Sequence, residues 1–326
     1  MKTNKKRILG IILAIVLAFS AFGGMALADP MQSLSLVQLS DTQYTTFFSA
    51  PSDTATLYAT QTSNYQDNQP FTSAADADAV TWGWTDDGST IYSTTTTSDG
   101  QLSISATGDV ATGSYTGPAP DYTAAYAGWY ALAEVTAAAV SLRPAVYSLQ
   151  GQLGTGYPIN FTIVIQSASP VPVGASNISA YVTDNRSGIP LPILAAGTVP
   201  NLTVTYPDTG DVLDGVPGSL QNDPSATGSL QSLLNNSDID DFAVNTTDAH
   251  VIDLTDYKGN DYPETQSPTF YGWQYGVYRL NTATSNYEIV GISTVVNPSV
   301  FPLQTGDKVY WQYGAYSTLP TIWPGA

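Results

Sequence analysis

The sequence predicts a mainly β protein, with an N-terminal β-sandwich followed by an α+β C-terminal domain that holds one short helix. Three observations predict it. Apolar and polar residues alternate with period two through most of the chain, so that each run presents one apolar face. The runs are short and divided by Gly, Pro, Asp and Asn turns. Only residues 223–236, DPSATGSLQSLLNN, space their leucines as a helix does.

The elements follow in chain order. Residues 34–40 and 54–60 alternate as strands. Residues 79–97 read as strand, turn and strand around Asp86-Asp87-Gly88, because Asp and Gly accept the left-handed backbone of a tight turn. Asp99-Gly100 repeats the device within 98–108. Trp129–Val135 is read as a strand, since aromatic and β-branched residues open it. A Gly-rich stretch at 149–158 marks an expected boundary, between an immunoglobulin-like sandwich over 29–152 and a second domain over 153–326. In the second domain, 159–168, 177–183 and 201–205 read as strands. The proline-bearing segments 171–177 and 187–200 read as loop or sheet edge, because proline cannot donate to a central ladder. The helix at 223–236 is expected to be capped by Asp223 or Ser225, to bury Leu230, Leu233 and Leu234 on one face, and to end at Asn235-Asn236. Strands are expected at 250–257, 270–280, 287–296 and 307–313.

The last of these strands carry a pattern. Gly272, Trp273 and Tyr275 form a Gly-Trp-x-Tyr strand, and Leu303, Gly306, Asp307, Val309, Trp311 and Tyr313 form Leu-x-x-Gly-Asp-x-Val-x-Trp-x-Tyr. Over about residues 200–316 the order of elements and these motifs resemble the transcobalamin-like C-terminal domain of secreted bacterial proteins. The resemblance implies a β-grasp-like module. In cobalamin carriers such a module closes over a corrinoid held against a separate helical barrel. This chain has no run of long amphipathic helices to build that barrel. Cobalamin is therefore not the expected ligand, and no cofactor is expected.

Alternation alone gives the pattern a structural meaning. Val309, Trp311 and Tyr313 share one face; Lys308, Tyr310 and Gln312 share the other. Tyr271, Trp273, Tyr275 and Val277 likewise share a face. Two such faces can build a core. Asp307, after Gly306, is expected to turn the chain into the last strand.

Composition bounds the function. Residues 1–28 are expected to be a secretory signal peptide: Lys2, Lys5, Lys6 and Arg7 lead, an apolar run follows from Ile8, and Ala26-Leu27-Ala28 reads as a cleavage site. Residues 29–326 then hold 27 acidic and five basic residues, Arg143, Arg186, Lys258, Arg279 and Lys308, for a net charge of −22. Such a surface repels phosphate backbones and anionic lipid heads, so neither nucleic acid nor membrane insertion after cleavage is expected. The absence of cysteine removes thiolate catalysis, thiolate-bound metal and disulfide staples together. Six N-x-S/T sequons begin at Asn160, Asn177, Asn185, Asn201, Asn235 and Asn245; they bear on function only in a host that glycosylates.

Catalytic patterns are sparse. His250 is the one histidine, and neither G-x-S-x-G nor H-E-x-x-H occurs. Asp208, Asp211 and Asp214 are the candidate calcium ligands, with Asp238, Asp240 and Asp241 nearby in sequence, though neither group matches the D-x-D-x-D-G loop. The candidate ligand contacts are Tyr271, Trp273, Tyr275, Tyr310, Trp311 and Tyr313, flat rings with polar tips. The expected function is that of a secreted, non-enzymatic binding or interaction protein, whose partner is a cell-surface component, a glycan, a small molecule or a protein. A corrinoid-binding accessory protein and a self-assembling surface-layer or filament subunit are the alternatives.

Overall fold

The computed structural model describes residues 33–37, 45–63, 67–69, 71, 73–86, 88, 90–107, 113–115, 126–128, 131–154, 158–246, 249–266, 270–292 and 296–324. The expected signal segment lies outside them, as does Trp129, the expected start of a strand. Strands dominate, as the alternation predicts. The first part of the chain contains β1 (Ser33–Val37), β2 (Thr45–Phe48), β3 (Thr54–Ser63), β4 (Asp67–Gln69), helix α1 (Ala74–Asp78), β5 (Val80–Thr85) and β6 (Ile91–Ser93). It continues with β7 (Leu102–Thr107), β8 (Gly113–Tyr115), β9 (Tyr126–Gly128), β10 (Ala131–Ala137), β11 (Ala145–Leu153) and β12 (Ile159–Ile165). The second part contains β13 (Ala175–Asp184), β14 (Leu191–Pro192), β15 (Thr198–Val204), helix α2 (Gly228–Asn235), β16 (Ile239–Val244) and β17 (Val251–Asp256). It closes with β18 (Gly272–Asn281), β19 (Asn286–Ile292) and β20 (Lys308–Gly314).

Two five-stranded sheets build the core of the first unit, and β8 and β9 form a separate pair. One runs β1-β3-β10-β7, with β4 also on β3; the other runs β2-β12-β11-β5-β6, with β2 parallel to β12. Both feed a single core: Leu57, Leu102, Ala133 and Val135 come from the first, Phe48, Trp82, Trp84, Leu149, Phe161 and Ile163 from the second. Apolar residues two apart in each strand supply that core, which is what period-two alternation dictates.

The expected boundary at 152/153 is corrected here. β11 and β12 pair antiparallel within one sheet, so 149–158 holds strand and hairpin rather than a linker. Gly151 is a packing glycine: a Cβ there would sit 3.0 Å from the Trp82 ring on the neighbouring strand. Phe161, Ile163 and Ile165 belong to the first core. By its sheets, the first unit ends after Ile165.

The second unit is built on a sheet ordered β14-β13-β20-β18-β19, with β15 on β13 and with β13 and β20 parallel. β16 and β17 form a separate pair. α2 covers one face with buried Leu230 and Leu233 and partly buried Leu234. The N-cap is Thr227, which makes no side-chain capping bond, so neither expected residue is the cap; Ser225 Oγ, in the turn before the helix, accepts from Gly228 N at 3.1 Å. Asp223 has another task. Its buried carboxylate accepts from Ser167 N (2.5 Å) and Ser167 Oγ (2.7 Å), just past β12. Asn222 Nδ2 donates to Ser167 O at 2.8 Å. With Val164 reaching from β12 into the second core, these bonds fasten the two units together.

The other face of this sheet has no helix over it. The chain after β20 covers it instead. Gln274 Nε2 donates to Ser317 O and Gln274 Oε1 accepts from Ser317 N, while Gln312 Nε2 donates to Ser317 Oγ. Tyr278 Oη donates to Pro320 O at 2.6 Å. Ile289 N donates to Thr321 O and Trp323 N to Tyr287 O, both at 3.2 Å, which sets Ile322 opposite Glu288 on the outer edge of β19.

Candidate functional site

To contact a ligand, the six aromatic candidates must present their rings to solvent. Trp273 is 8 % exposed, Tyr275 0 %, Tyr310 1 %, Trp311 1 % and Tyr313 2 %, and Tyr271 is half-buried against the same core. The structure corrects the ligand-contact reading for the five buried ones and supports the packing reading. The β18–β20 register pairs Trp273 with Tyr313 and Tyr275 with Trp311, at centroid distances of 5.2 and 5.7 Å. Their polar tips are satisfied internally. Trp273 Nε1 donates to Tyr262 O, Tyr275 Oη to Val296 O, and Trp311 Nε1 to Ser229 Oγ. Buried polar atoms need such partners. Beside these strands two aromatics do meet solvent: Phe270 and Tyr316 stack at 5.7 Å, both exposed.

Asp208, Asp211 and Asp214 form a succession of turns. Asp211 N donates to Asp208 O, Asp214 N to Asp211 O, and Asp208 N to Asp211 Oδ2. Among the described residues no three His, Asp or Glu side chains come together to hold a metal ion. Asp211 instead borders a groove of about 470 Å³ between β15 and α2, lined by Asn201, Thr203, Gln231 and Asn235. His250 Nε2 lies 3.2 Å from Glu264 Oε2, both partly exposed.

Asp307 turns the chain, as expected. Its backbone N donates to Gln304 O, its Oδ2 accepts from Gln304 N at 2.8 Å, and Gly306 has φ +88°. It also does something that motif reading missed. Its carboxylate, 1 % exposed, grips Arg279 by a two-bond fork: Nε to Oδ1 at 2.8 Å and Nη2 to Oδ2 at 2.7 Å. Extending the β18–β20 register by one pair beyond Tyr278 and Lys308 places Arg279 opposite Asp307. That register was the available signal.

Arg279 opens the site of greatest interest, a cleft of about 340 Å³ between the two units. The second unit contributes Arg279, Phe301 and Gln304; the first contributes Asp99, Gln101 and Arg143. The Asp99-Gly100 turn builds the first wall. Gly100 takes φ +73°. Asp99 accepts from Thr97 Oγ1 (3.0 Å), Gln101 N (3.2 Å), Gln101 Nε2 (2.9 Å) and Tyr147 Oη (2.7 Å). Burial pushes this carboxyl up, but those hydrogen bonds outweigh it and hold Asp99 below its ordinary value. Gln101 Oε1 in turn accepts from Arg143 N at 2.6 Å and fixes that backbone. The Arg143 guanidinium has no ion-pair or hydrogen-bond partner among the described residues. Arg279 spends Nε and Nη2 on Asp307, and its Nη1 is unbonded among them.

Two of the five basic residues in 29–326 thus line one cleft in a strongly acidic chain. Asp99 has its acceptor capacity filled from within. The open donors are arginine N–H groups, whose planar fork matches a carboxylate. Comparison with known proteins finds no matching family model and no matching curated protein.

Proposed function

We propose that this chain is a secreted, non-enzymatic binding protein whose ligand seats in the cleft between its two units, with a carboxylate against Arg143 and Arg279. The observation that carries the reading is the gathering of those two arginines at a concave junction while acidic residues dominate elsewhere. The signal-like residues 1–28 support export, and the terminal strand pattern supports kinship with the transcobalamin-like modules. An acidic glycan suits the reading best among glycan, small-molecule and protein partners, because it joins a carboxylate to hydroxyls that Gln304 can meet.

The test is a thermal-shift panel on residues 29–326 with galacturonate oligomers, neutral glucans, cobalamin and calcium. A ligand that binds only the folded state raises Tm by mass action. Galacturonate oligomers are expected to raise it, Arg143→Ala to abolish the rise, and added salt to weaken it. No rise with galacturonate, or an equal rise in Arg143→Ala, overturns the cleft assignment. A rise with cobalamin alone favours the corrinoid alternative. Self-assembly is the second reading, favoured by the β-bridge through which the C-terminal segment pairs with the edge of β19.

A further inference from the structure

The face of the second sheet that carries Lys308, Tyr310 and Gln312 is covered by a segment that Ser317 ties to Gln274 and Gln312 and that a short exposed connection, Ala315–Tyr316, joins to β20. β20 ends at Gly314, and Ala315–Thr318 are exposed. Beyond them the segment binds as a separate peptide would bind an open sheet edge. It supplies two backbone hydrogen bonds to β19, through Thr321 O and Trp323 N. It inserts one anchor. The Trp323 ring meets Tyr278 edge-on at 5.6 Å and Tyr181 at 6.3 Å, with Lys308 Nζ 5.3 Å from its centroid. Leu319 packs over Gly276, where a Cβ would stand 3.3 Å from Leu319 Cδ1. Main-chain bonds to an edge strand with side chains in alternate pockets are the physics of strand addition. Pro320 and Pro324 bracket the paired residues and keep the added strand from offering a long new edge.

Every one of these contacts is between residues 317–324 and the sheet, and none depends on which copy of the chain supplies the segment. We propose that this edge and its aromatic slot are an interaction surface for the same segment of a second copy, exchanged about the exposed connection at Ala315–Tyr316. In the exchanged form Ile322 of one chain lies opposite Glu288 of the other, and Trp323 fills the other chain's slot. Contacts within and between chains are then identical, so protein concentration and the strain of the connection set the balance. The proposal does not rest on the cleft, which holds none of residues 317–324.

The chain has no cysteine, so introduced thiols report without interference. The bonds at Thr321 and Trp323 flank the pair Glu288 and Ile322, making it a non-hydrogen-bonded pair, in which Cα atoms lie at about 4.5 Å, within disulfide reach. Glu288→Cys and Ile322→Cys are made separately, mixed in denaturant, refolded together and oxidised. A disulfide-linked heterodimer at twice the monomer mass is expected, well above that formed when Ile322→Cys is mixed with Val140→Cys at an exposed position elsewhere. Heterodimer no more abundant than in that control overturns the exchange. The double variant Glu288→Cys/Ile322→Cys guards against a misplaced pair. If it bonds within one chain while the mixed single variants stay monomeric, the segment remains with its own chain and the proposal fails. If it bonds in neither way, the edge pairing itself is wrong and the proposal fails with it.

Discussion

At the residue scale, Asp307 shows how one side chain serves a turn and an ion pair together. Its carboxylate is buried and Arg279 is only partly exposed, so removing the acid leaves a guanidinium without its counter-charge and a Gln304 N–H without its acceptor. Asp307→Ala is expected to lower unfolding stability by about 3 kcal/mol, the range found when one partner of a buried pair is removed. The shift in urea midpoint at constant m-value measures it. Arg279 also borders the cleft, so this variant is a test of stability and not of ligand. The turn was legible from Gly306-Asp307; the pair was not, because no local motif links residues 28 apart. Only the strand register brings them together.

At the element scale, alternation located most of the strands, since a half-buried strand must repeat every two residues. It failed where glycine was read as punctuation. Gly151 sits inside β11 because the Trp82 ring lies over it, a reason visible only once β5 and β11 are paired. Gly151→Val is expected to cost about 1–3 kcal/mol through overpacking, despite the better strand propensity of valine, and a lowered Tm is the readout. Helix α2 was legible from its leucine spacing and ends at Asn235 with Asn236 as its C-cap, as expected. α1 was not, being five residues long with a single buried residue and so lacking a periodic face. The aromatic candidates followed a correct rule about faces and a mistaken one about exposure. Tyr310 lies on the face opposite Trp311, yet it is buried too: its ring stacks on Tyr181 and its Oη bonds to Thr183 and Gln312.

At the scale of the whole molecule, charge sets the conditions for stability. Two backbone N–H bonds, from Ser49 and Ala50, hold Asp53 below its ordinary carboxyl value. For Asp184 and Asp256 burial acts upward, but it is outweighed, by Arg186 at Asp184 and by bonds from Asn260, Lys258 and Tyr262 at Asp256. Among the described carboxyl groups Asp238 alone is pushed the other way, by burial. A carboxyl held low when folded stabilises above its unfolded value, and that contribution is lost as pH falls through the folded one. Tyrosines behave oppositely. Burial pushes Tyr262 up to about 12 and Tyr275 and Tyr278 higher, so their contribution is present below about pH 10 and is lost as pH rises beyond it. Urea midpoints are therefore expected to form a plateau that falls below about pH 4 and above about pH 10, with Asp256→Asn flattening part of the acid limb. A midpoint that keeps rising below pH 4 contradicts the assignment.

The order of strands in the second sheet also says when that sheet can exist. β20 is its middle strand, parallel to β13 on one side and antiparallel to β18 on the other. Thr183 and Tyr310, which bond across the parallel pair, stand 127 residues apart in the chain. During synthesis β13 therefore waits through the making of α2, β16, β17, β18 and β19 before its partner emerges. A ribosome that stalls between Ile292 and Lys308 leaves two half-sheets with bare inner edges, and pairing across so long an interval makes this the slow step in folding. The last strand made is the one that lets the half-sheets join.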